Sequence, residues 1–228
     1  MLILGIDTAT SVCSLSLYDG QKVLTEWNVD NGFTHSEKMM PQLENMLAGS
    51  LIEKNAIEGI SVSIGPGSFT GLRIGIASAK TMAYALQIPV CGVPTLTALA
   101  YNIPMPGVLL STLVNGQKGN VYQAVYRWQE GKLQTVREIQ FVPYEEALVF
   151  LEQSRELCLL LGEEFAGTLP PNVRKAPANC CKPRAASVAM LGYERLSKGE
   201  SDDIFLMEPY YMKKSEAEIL WEKKNKST

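Results

Sequence analysis

Apolar residues in the first third of the chain form short runs of the kind that predict strands. The runs LILGID (2–7) and ISVSIG (60–65) have the length of buried strands. Residues 13–29 predict two strands joined at Asp19-Gly20, because that dipeptide accepts the positive φ angles of a tight hairpin. We therefore expect three strands before the first helix and a fourth strand after it.

Two segments have the spacing of helices. Residues 35–49 place their apolar side chains on one helical face, with Ser36 as the N-cap and Gly49 as the stop. Residues 70–87 predict a longer helix that ends before Pro89. The apolar face of the first helix consists of Met39, Met40, Leu43, Met46 and Leu47.

The second half of the chain repeats this order of elements. An apolar strand is followed by two strands joined at Glu130-Gly131, then by an amphipathic helix, a buried strand and a late helix at about 184–197. Both halves are thus predicted to be βββαβα. Duplicated units in that order are typical of the actin-like/Hsp70-like α/β folds (ASKHA, ribonuclease H-like). We therefore predict one actin-like subdomain at 1–104 and a second at 105–228.

Composition narrows the classes of function. The chain has 228 residues, 46% of them hydrophobic, and a formal net charge of −3. Because no basic stripe is present, tight RNA binding by this chain alone is disfavoured. The start of the chain is unlike a signal peptide, and no apolar run is long enough to span a membrane. The cysteines lack CxxC spacing and are predicted to be reduced thiols in the cytoplasm. They are Cys13, Cys91, Cys158, Cys180 and Cys181.

Asp7, Thr8 and Thr10 directly follow the first strand. Nucleotide-binding proteins of this fold place there an acid for the metal and hydroxyls for phosphate. The alternative is that Asp7 hydrogen-bonds the turn that leaves the strand. The matching loop of the second half has Asn115 and Gln117 but no carboxylate, and one acid is a poor ligand set for a Mg²⁺-nucleotide. Nucleotide binding in the cleft stays open, whereas efficient phosphoryl transfer is not expected.

Gly65 and Gly67 lie in SIGPGSFTGLR, which resembles a phosphate-binding loop in front of a helix. A Walker loop ends in Gly-Lys-Ser/Thr, and this stretch has no such lysine. A helix N-terminus can still hold an anion weakly. The structural interpretation is favoured: the glycines allow a sharp strand-to-helix turn, and Ser68 or Thr70 caps the helix.

Small residues recur every four positions along the second helix, at Gly71, Gly75, Ala79 and Ala83. Because glycine costs about 1 kcal/mol relative to alanine inside a helix, two such glycines indicate a packing reason. A smooth face lets another helix approach closely, and the methionines of the preceding helix adapt to varied surfaces. We predict that the two helices form a docking face for a partner, with packing inside the chain as the alternative.

Catalytic constellations are scarce in the sequence. His35 is the only histidine, so a histidine-based metal site or a Ser-His pair cannot be assembled. Ser68 lies in Gly-Ser-Phe-Thr-Gly rather than in the Gly-x-Ser-x-Gly of a nucleophile elbow. No catalytic residue and no metal site is predicted.

Four stretches carry a resemblance to a known family: ILGIDTATSVCSLSL, HSEKMMPQLENML, SIGPGSFTGLRIGIASAK and EPYYMKKSEAE. They lie in order across nearly the whole chain, and Gly-Pro-Gly-Ser-Phe-Thr-Gly-Leu-Arg is long and specific. The chain resembles the bacterial TsaB (YeaZ-type) family of tRNA threonylcarbamoyladenosine (t6A) modification.

The resemblance implies a non-catalytic scaffold related to the TsaD subunit. TsaD carries a metal-binding His-x-x-x-His and transfers the threonylcarbamoyl group to adenosine 37 of tRNAs that read ANN codons. In the family, TsaB pairs with TsaD through its first two helices, the ATPase TsaE joins the pair, and TsaB also forms a homodimer through the same surface. The resemblance implies no cofactor in the isolated chain; ATP or ADP with Mg²⁺ and tRNA are expected only in the assembled complex.

Carried onto this sequence, the docking residues expected on the first two helices are Met39, Leu43, Met46, Gly71, Arg73, Gly75, Ala79 and Ala83. Arg73 lies off the small-residue stripe and is expected to contact a partner carboxylate or a nucleotide. One departure is that many members have Asp-Ala-Arg where this chain has Asn115-Gly116-Gln117, which puts a role of those charged residues in doubt here.

Two alternatives from other functional classes remain. The first is an actin-fold ATPase or kinase that acts on its own through Asp7 and the Gly65–Gly67 loop, and it predicts nucleotide turnover by the isolated chain. The second is an independent RNA-binding module, which the acidic charge balance disfavours and which would bind tRNA in a salt-sensitive way.

Overall fold

The chain folds around two five-stranded sheets, one from each half of the sequence. The computed structural model describes residues 1–30, 35–163 and 167–210. The strands of the first sheet are β1 (Ile3–Asp7), β2 (Cys13–Tyr18), β3 (Val23–Val29), β4 (Gly59–Gly65) and β5 (Val90–Pro94). Their order is β3-β2-β1-β4-β5. β1 is antiparallel to β2 and parallel to β4, so the first sheet is mixed.

Two long helices cover one face of the first sheet. They are α1 (His35–Gly49) and α2 (Phe69–Leu86), and a short helix, α3 (Thr95–Tyr101), follows β5. Leu4 and Ile6 of β1 share an apolar core with Leu43 of α1 and with Leu72 and Ile76 of α2. Because side chains alternate between the two faces of a strand, Ile3 and Gly5 face the other way.

The second sheet has the same mixed character. Its strands are β6 (Leu109–Asn115), β7 (Asn120–Gln129), β8 (Lys132–Pro143), β9 (Cys158–Gly162) and β10 (Val173–Lys175), and α4 (Tyr144–Ser154) joins β8 to β9. The strand order is β10-β9-β6-β7-β8. β6 and β7 are antiparallel, whereas β6 and β9 are parallel. The order of elements in the first half is therefore repeated.

A helix from the second half covers the other face of the first sheet. This helix is α5 (Ala185–Leu196). The Ser61 hydroxyl donates to the Val188 carbonyl at 2.8 Å, and the Ala185 amide donates to Ser14 Oγ at 2.8 Å. The approach is close enough that a Cβ on Gly5 would lie 2.2 Å from the Ala185 oxygen. With helices on both faces, β1 and β2 are buried along their whole length.

The predicted architecture is confirmed, with two omissions. Both halves are βββαβα, and both hairpins turn where the sequence predicts: Gly20 has φ 94°, and Glu130 and Gly131 have φ 53° and 73°. The sequence reasoning missed β5 with α3, and it missed β10.

The subdomain boundary after residue 104 stays a prediction. Residues 1–104 supply the first sheet, but α5 and the segment after it return from the second half to pack on that sheet. The Asp202 amide donates to the Val90 carbonyl at 2.9 Å, and the Tyr210 amide donates to the Ile64 carbonyl at 2.7 Å. None of the described helices is both long and apolar enough to cross a membrane.

Candidate functional site

The loop after β1 packs against the N-terminus of α2. The Ser68 amide donates to the Ala9 carbonyl at 2.7 Å, and Ser68 Oγ accepts from the Gly71 amide at 3.2 Å, which makes Ser68 the N-cap of α2. A Cβ on Gly67 would lie 2.3 Å from the Ala9 oxygen. Because glycine has no Cβ, the loop can approach the helix this closely. The amide groups of Ser68 and Gly71 at the start of α2 are thus hydrogen-bonded within the chain itself.

Asp7 lies at the bottom of the same loop and is fully buried. Its Oδ1 accepts from the Ala9 amide at 3.1 Å, and its Oδ2 accepts a short hydrogen bond from the Ser63 hydroxyl. Burial raises the pKa of the Asp7 carboxyl from 3.8 to about 6, although the hydrogen bonds from Ser63 and Ala9 lower it. Both carboxylate oxygens are therefore bonded to the chain's own donors.

The two threonines of the loop also face inward. The Thr8 hydroxyl donates to the Gly71 carbonyl at 2.7 Å, and Thr10 Oγ1 accepts from the Val12 amide at 3.3 Å. Thr8 is fully buried, and Thr10 is 7% exposed. Both hydroxyls thus bond to the chain's own backbone.

The structure brings together the residues predicted to bind a nucleotide, but as the packing of a loop on a helix. The loop that carries Asp7, Thr8 and Thr10 contacts Gly67 and Ser68 through Ala9, and Gly71 through Thr8, at the N-terminus of α2. A Mg²⁺-nucleotide requires carboxylate or water oxygens that are open to the ion, and the Asp7 oxygens are buried and hydrogen-bonded. The residues of this loop therefore do not fit a metal-nucleotide in this conformation.

The matching loop of the second half is a turn stabilised by its own side chains. Asn115 Oδ1 accepts from the Gln117 amide at 2.7 Å, and Asn120 Nδ2 donates to the Gln117 carbonyl at 3.3 Å. Gln117 and Lys118 have φ 66° and 54°, a left-handed conformation that non-glycine residues seldom adopt. The uncharged Asn115 side chain thus stabilises the turn through the Gln117 amide.

The small-residue stripe of α2 faces the interior. A Cβ on Gly71 would lie 2.0 Å from the Thr8 carbonyl oxygen, and one on Gly75 would lie 2.3 Å from Thr8 Oγ1. Ala79 and Ala83 are 0% and 1% exposed. The prediction that this stripe forms a docking face is wrong, because its partner is the loop after β1 and the core of the chain itself.

The apolar face of α1 is buried in the same way. Met39, Leu43 and Met46 are 2%, 4% and 7% exposed and belong to the core that α1 and α2 share with the first sheet. The prediction that these three residues form a surface is therefore also wrong. Of the docking residues predicted from the sequence, Arg73 alone is exposed.

The outward sides of α1 and α2 carry exposed apolar residues, of which the sequence reasoning selected Met40 but neither of the aromatic residues on α2. Met40 on α1 is 40% exposed, and Phe69 and Tyr84 on α2 are 41% and 60% exposed. The guanidinium of Arg73 lies 3.8 Å from the centre of the Phe69 ring, which is a cation–π contact. Phe69 and Arg73, which are one helical turn apart, thus place an aromatic ring beside a positive charge on the outward side of α2.

The outward surface of α2 continues into the segment that follows α5. Phe205 and Leu206 are 76% and 77% exposed, and the Phe205 ring makes an edge contact with Tyr84 at 6.3 Å between ring centres. Lys80 Nζ donates to the Met207 carbonyl at 3.0 Å and joins this segment to the helix. No helical or strand periodicity marks 202–210, so the sequence carried no signal for this part of the surface.

The remaining chemistry candidates are the thiols and the side chains that could bind a metal ion. All five cysteines are free thiols. Among residues 1–30, 35–163 and 167–210, no group of histidine, cysteine, aspartate and glutamate side chains could hold a metal ion. The side chains of His35 and Ser36 lie outside the described part of the chain, so the predicted cap at Ser36 stays a prediction.

Comparison with known proteins supplies the family. Residues 32–221 match the family model described as TsaD, tRNA N6-adenosine threonylcarbamoyltransferase. The chain is 31% identical to the tRNA threonylcarbamoyladenosine biosynthesis protein TsaB of Bacillus subtilis, over 97% of this chain and 98% of that protein. It is 33% identical to TsaB of Escherichia coli over 57% of each chain.

Solved structures show the same fold. YeaZ from Pseudomonas aeruginosa superimposes with a TM-score of 0.79 over 92% of this chain and 99% of that chain, at 22% identity. Another Pseudomonas aeruginosa structure, of an uncharacterized protein with similarity to peptidase YEAZ, gives a TM-score of 0.80 at 22% identity, over 93% of this chain and 99% of that chain. The duplicated actin-like fold is thereby confirmed. By its matches to TsaB along nearly its whole length and to the TsaD model over most of it, the chain belongs to the TsaB family of t6A biosynthesis proteins, within the wider TsaD-type family.

Proposed function

We propose that this chain is a non-catalytic scaffold of tRNA t6A biosynthesis that docks a TsaD protein and stabilises its active arrangement. The observation that carries the proposal is the loop after β1. Asp7, Thr8 and Thr10, which would serve a nucleotide in an active enzyme of this fold, are hydrogen-bonded to the chain itself. Family membership supplies the process, and this packing argues for a role other than catalysis.

The docking surface that we propose is the outward side of α1 and α2. Exposed aromatic and methionine side chains, such as Met40, Phe69 and Tyr84, are enriched where proteins contact each other. Arg73 lies beside them, and arginine in such a setting pairs well with a partner carboxylate. This assignment keeps the first two helices as the interface but moves it from their inward to their outward faces.

The remaining partners follow from the same proposal. TsaE is expected to join the pair, a homodimer is expected to use the same outward face, and tRNA is expected to be contacted only in the complex. The acidic balance of the chain, with a net charge of −3, supports that limit on tRNA. ATP or ADP with Mg²⁺ is proposed to belong to the assembled complex, and the site of action is the cytoplasm.

A binding assay with purified proteins tests the docking surface. The chain is mixed with the TsaD protein of the same organism, and the complex is measured by light-scattering chromatography and titration. Arg73→Glu and Tyr84→Glu should each weaken binding by at least about tenfold. Val149→Glu, at a residue of α4 that is 47% exposed, is the matched control and should bind as wild type. Equal binding by all four proteins would place the interface elsewhere.

A modification assay tests the scaffold role itself. TsaD with its substrates should give little t6A without this chain and full activity with it, and Arg73→Glu should lower the yield in parallel with the affinity. Full t6A formation by TsaD alone would refute the proposal. Nucleotide hydrolysis by the isolated chain that Asp7→Ala abolishes would favour the ATPase or kinase alternative.

A further inference from the structure

A turn at residues 203–207, which we call the Phe205 turn, presents two large apolar side chains to solvent. Phe205 and Leu206 are 76% and 77% exposed. Ile204 and Met207 beside them pack against the core that α1 and α2 share with the first sheet. Four successive apolar residues are thus divided between two that hold the turn on the protein and two that face outward. Contiguous exposed apolar patches mark interaction sites, which isolated apolar residues do not.

Hydrogen bonds hold the backbone of the Phe205 turn in one conformation. Asp203 Oδ1 accepts from the Phe205 amide at 2.7 Å and from the Leu206 amide at 3.3 Å. The Met207 amide donates to the Asp203 carbonyl at 2.9 Å. Lys80 Nζ of α2 donates to the Phe205 and Met207 carbonyls at 3.4 and 3.0 Å. Because the backbone is already ordered, little conformational freedom is lost when the two outward side chains are bound.

A mainly apolar cavity of about 320 Å³ lies between the Phe205 turn and the end of α2. The charged residue in its lining, Asp202, pairs with Arg195 at 2.8 Å, so an apolar occupant meets no unpaired carboxylate there. A recess of this kind accepts a large apolar side chain, the type of group that contributes most to the affinity of protein interfaces. The apolar residues of the lining include Ala83, Tyr84, Ile88, Val90, Ile204 and Phe205.

The Phe205 turn continues the docking surface proposed on α2. The Tyr84 ring, which belongs to that surface, meets the Phe205 ring edge to face with 6.3 Å between the ring centres. Lys80, one helical turn before Tyr84, binds the backbone of the turn. A protein that covers Tyr84 therefore also reaches Phe205 and Leu206.

The area that a stable complex needs supports the same extension. A specific protein–protein interface buries about 800 Å² on each partner. The four exposed side chains of the proposed docking surface on α1 and α2 supply about half of that area, because even a fully buried aromatic side chain contributes only about 150–250 Å². The interface must therefore extend beyond them, and the Phe205 turn is the exposed apolar surface in contact with Tyr84.

We propose that the Phe205 turn is part of the surface that docks the TsaD protein. Phe205 and Leu206 enter an apolar recess of TsaD, and an apolar side chain of TsaD fills the cavity beside Tyr84. Asp203 and Lys80 are positioning residues, since they hold the turn through its backbone. The inference rests on the proposed function, because it adds a further part to the same docking surface.

Titration of TsaD with variants of the Phe205 turn tests the proposal. Phe205→Ala and Leu206→Ala should each weaken binding by at least about tenfold. Their urea midpoints should equal that of wild type, because both side chains are mainly exposed. Leu157→Ala, at a leucine of the second half that is 49% exposed, is the matched control and should bind as wild type. Wild-type affinity of both Phe205→Ala and Leu206→Ala would overturn the proposal.

Asp203 variants test whether the order of the turn contributes to binding. Asp203→Ala removes the acceptor for two amides but leaves the apolar side chains in place, so it should weaken TsaD binding and speed amide hydrogen exchange at Phe205 and Leu206. Asp203→Asn keeps a side-chain oxygen and should restore both properties towards wild type. Wild-type affinity of Asp203→Ala would refute the positioning role.

Site-specific crosslinking identifies the occupant. The photoreactive residue p-benzoylphenylalanine in place of Phe205 should crosslink to TsaD on irradiation, whereas the same residue in place of Leu157 should not. Crosslinks that form only between two copies of this chain, with TsaD present, would overturn the proposal, since the occupant would then be a second copy.

Arg73→Glu and Tyr84→Glu, measured in the same titration, distinguish failure of this inference from failure of the proposed function. If these two variants weaken TsaD binding while Phe205→Ala and Leu206→Ala do not, the docking surface on α2 stands and the Phe205 turn lies outside it. If none of the four variants weakens binding, the proposed docking surface fails, and this inference fails with it.

Discussion

Adding one methyl group at Gly75 should change stability with opposite signs in two backgrounds. In the wild-type chain a Cβ at this position would lie 2.3 Å from Thr8 Oγ1, while its next neighbours, Thr8 Cβ and Val62 Cγ2, are both at 3.6 Å. The clash is thus with a single oxygen atom. Thr8→Ala removes that oxygen and leaves ordinary van der Waals contacts for the new methyl group.

The magnitudes follow from two opposed effects. Alanine is favoured over glycine inside a helix by about 1 kcal/mol, and overpacking a well-filled site costs about 1–3 kcal/mol. Because Thr8 is fully buried, overpacking should dominate, and Gly75→Ala should lower the free energy of unfolding by about 1 kcal/mol. In the Thr8→Ala background the clash is absent, so the same substitution should raise that free energy by about 1 kcal/mol.

Urea unfolding, followed by circular dichroism, measures the change in unfolding free energy in both backgrounds. The four proteins are wild type, Gly75→Ala, Thr8→Ala and the double variant. Gly71→Ala is the matched control, since its Cβ would lie 2.0 Å from the Thr8 carbonyl oxygen, which no side-chain substitution removes. It should destabilise both backgrounds. If Gly75→Ala stabilises the wild-type chain, or has the same sign in both backgrounds, then the packing of α2 on the loop does not explain the glycines.

Three further predictions concern groups that the fold buries or pairs. The folded-state pKa of Asp7 is raised from 3.8 to about 6, so its protonation stabilises the fold fully below about pH 4, and this contribution is lost as pH rises through 6. Asp7→Asn should therefore gain about 3 kcal/mol relative to wild type between pH 4 and 7 in urea titrations, and a pH-independent difference would contradict this. Glu26 accepts from the Ala186 amide at the start of α5 and pairs with Arg184. Glu26→Ala should thus lower the unfolding free energy by about 2 kcal/mol, whereas Arg184→Ala, at a half-exposed side chain, should cost under about 1 kcal/mol. In the native chain a thiol reagent should modify Cys180 and Cys181 first, since both are partly exposed and the other thiols are buried; uniform rates for all five would argue against this core.

The sequence was sufficient for the architecture because the architecture rests on local signals. Asp19-Gly20 and Glu130-Gly131 mark the two hairpins, and each has at least one residue with the positive φ that the turn demands. β10, which spans Val173–Lys175, was missed because three residues carry no periodicity. α3 was missed for a similar reason, since seven residues make only two turns of helix.

The candidate site could be predicted only in part, because a stripe of small residues does not say what fills it. Gly71 and Gly75 were correctly identified as packing residues. A helix face made of small residues, however, can be packed either by another helix or by a loop. What approaches them is Thr8, more than sixty positions earlier in the chain. The Met39 face was ambiguous for a related reason: apolar residues at helical spacing mark burial, and burial against the chain itself is the commoner case.

The two faces of α2 give this helix a double role that follows from its packing. Its inward face holds the loop after β1 through the Thr8–Gly71 hydrogen bond and the Ser68 cap, so that Asp7 stays buried. Its outward face carries Arg73 and Tyr84, which we propose to dock TsaD. A rigid helix that is fixed on one side presents the other side with little loss of conformational freedom on binding. We therefore propose that one packing arrangement both occupies the polar groups of the loop and fixes the helix that docks TsaD.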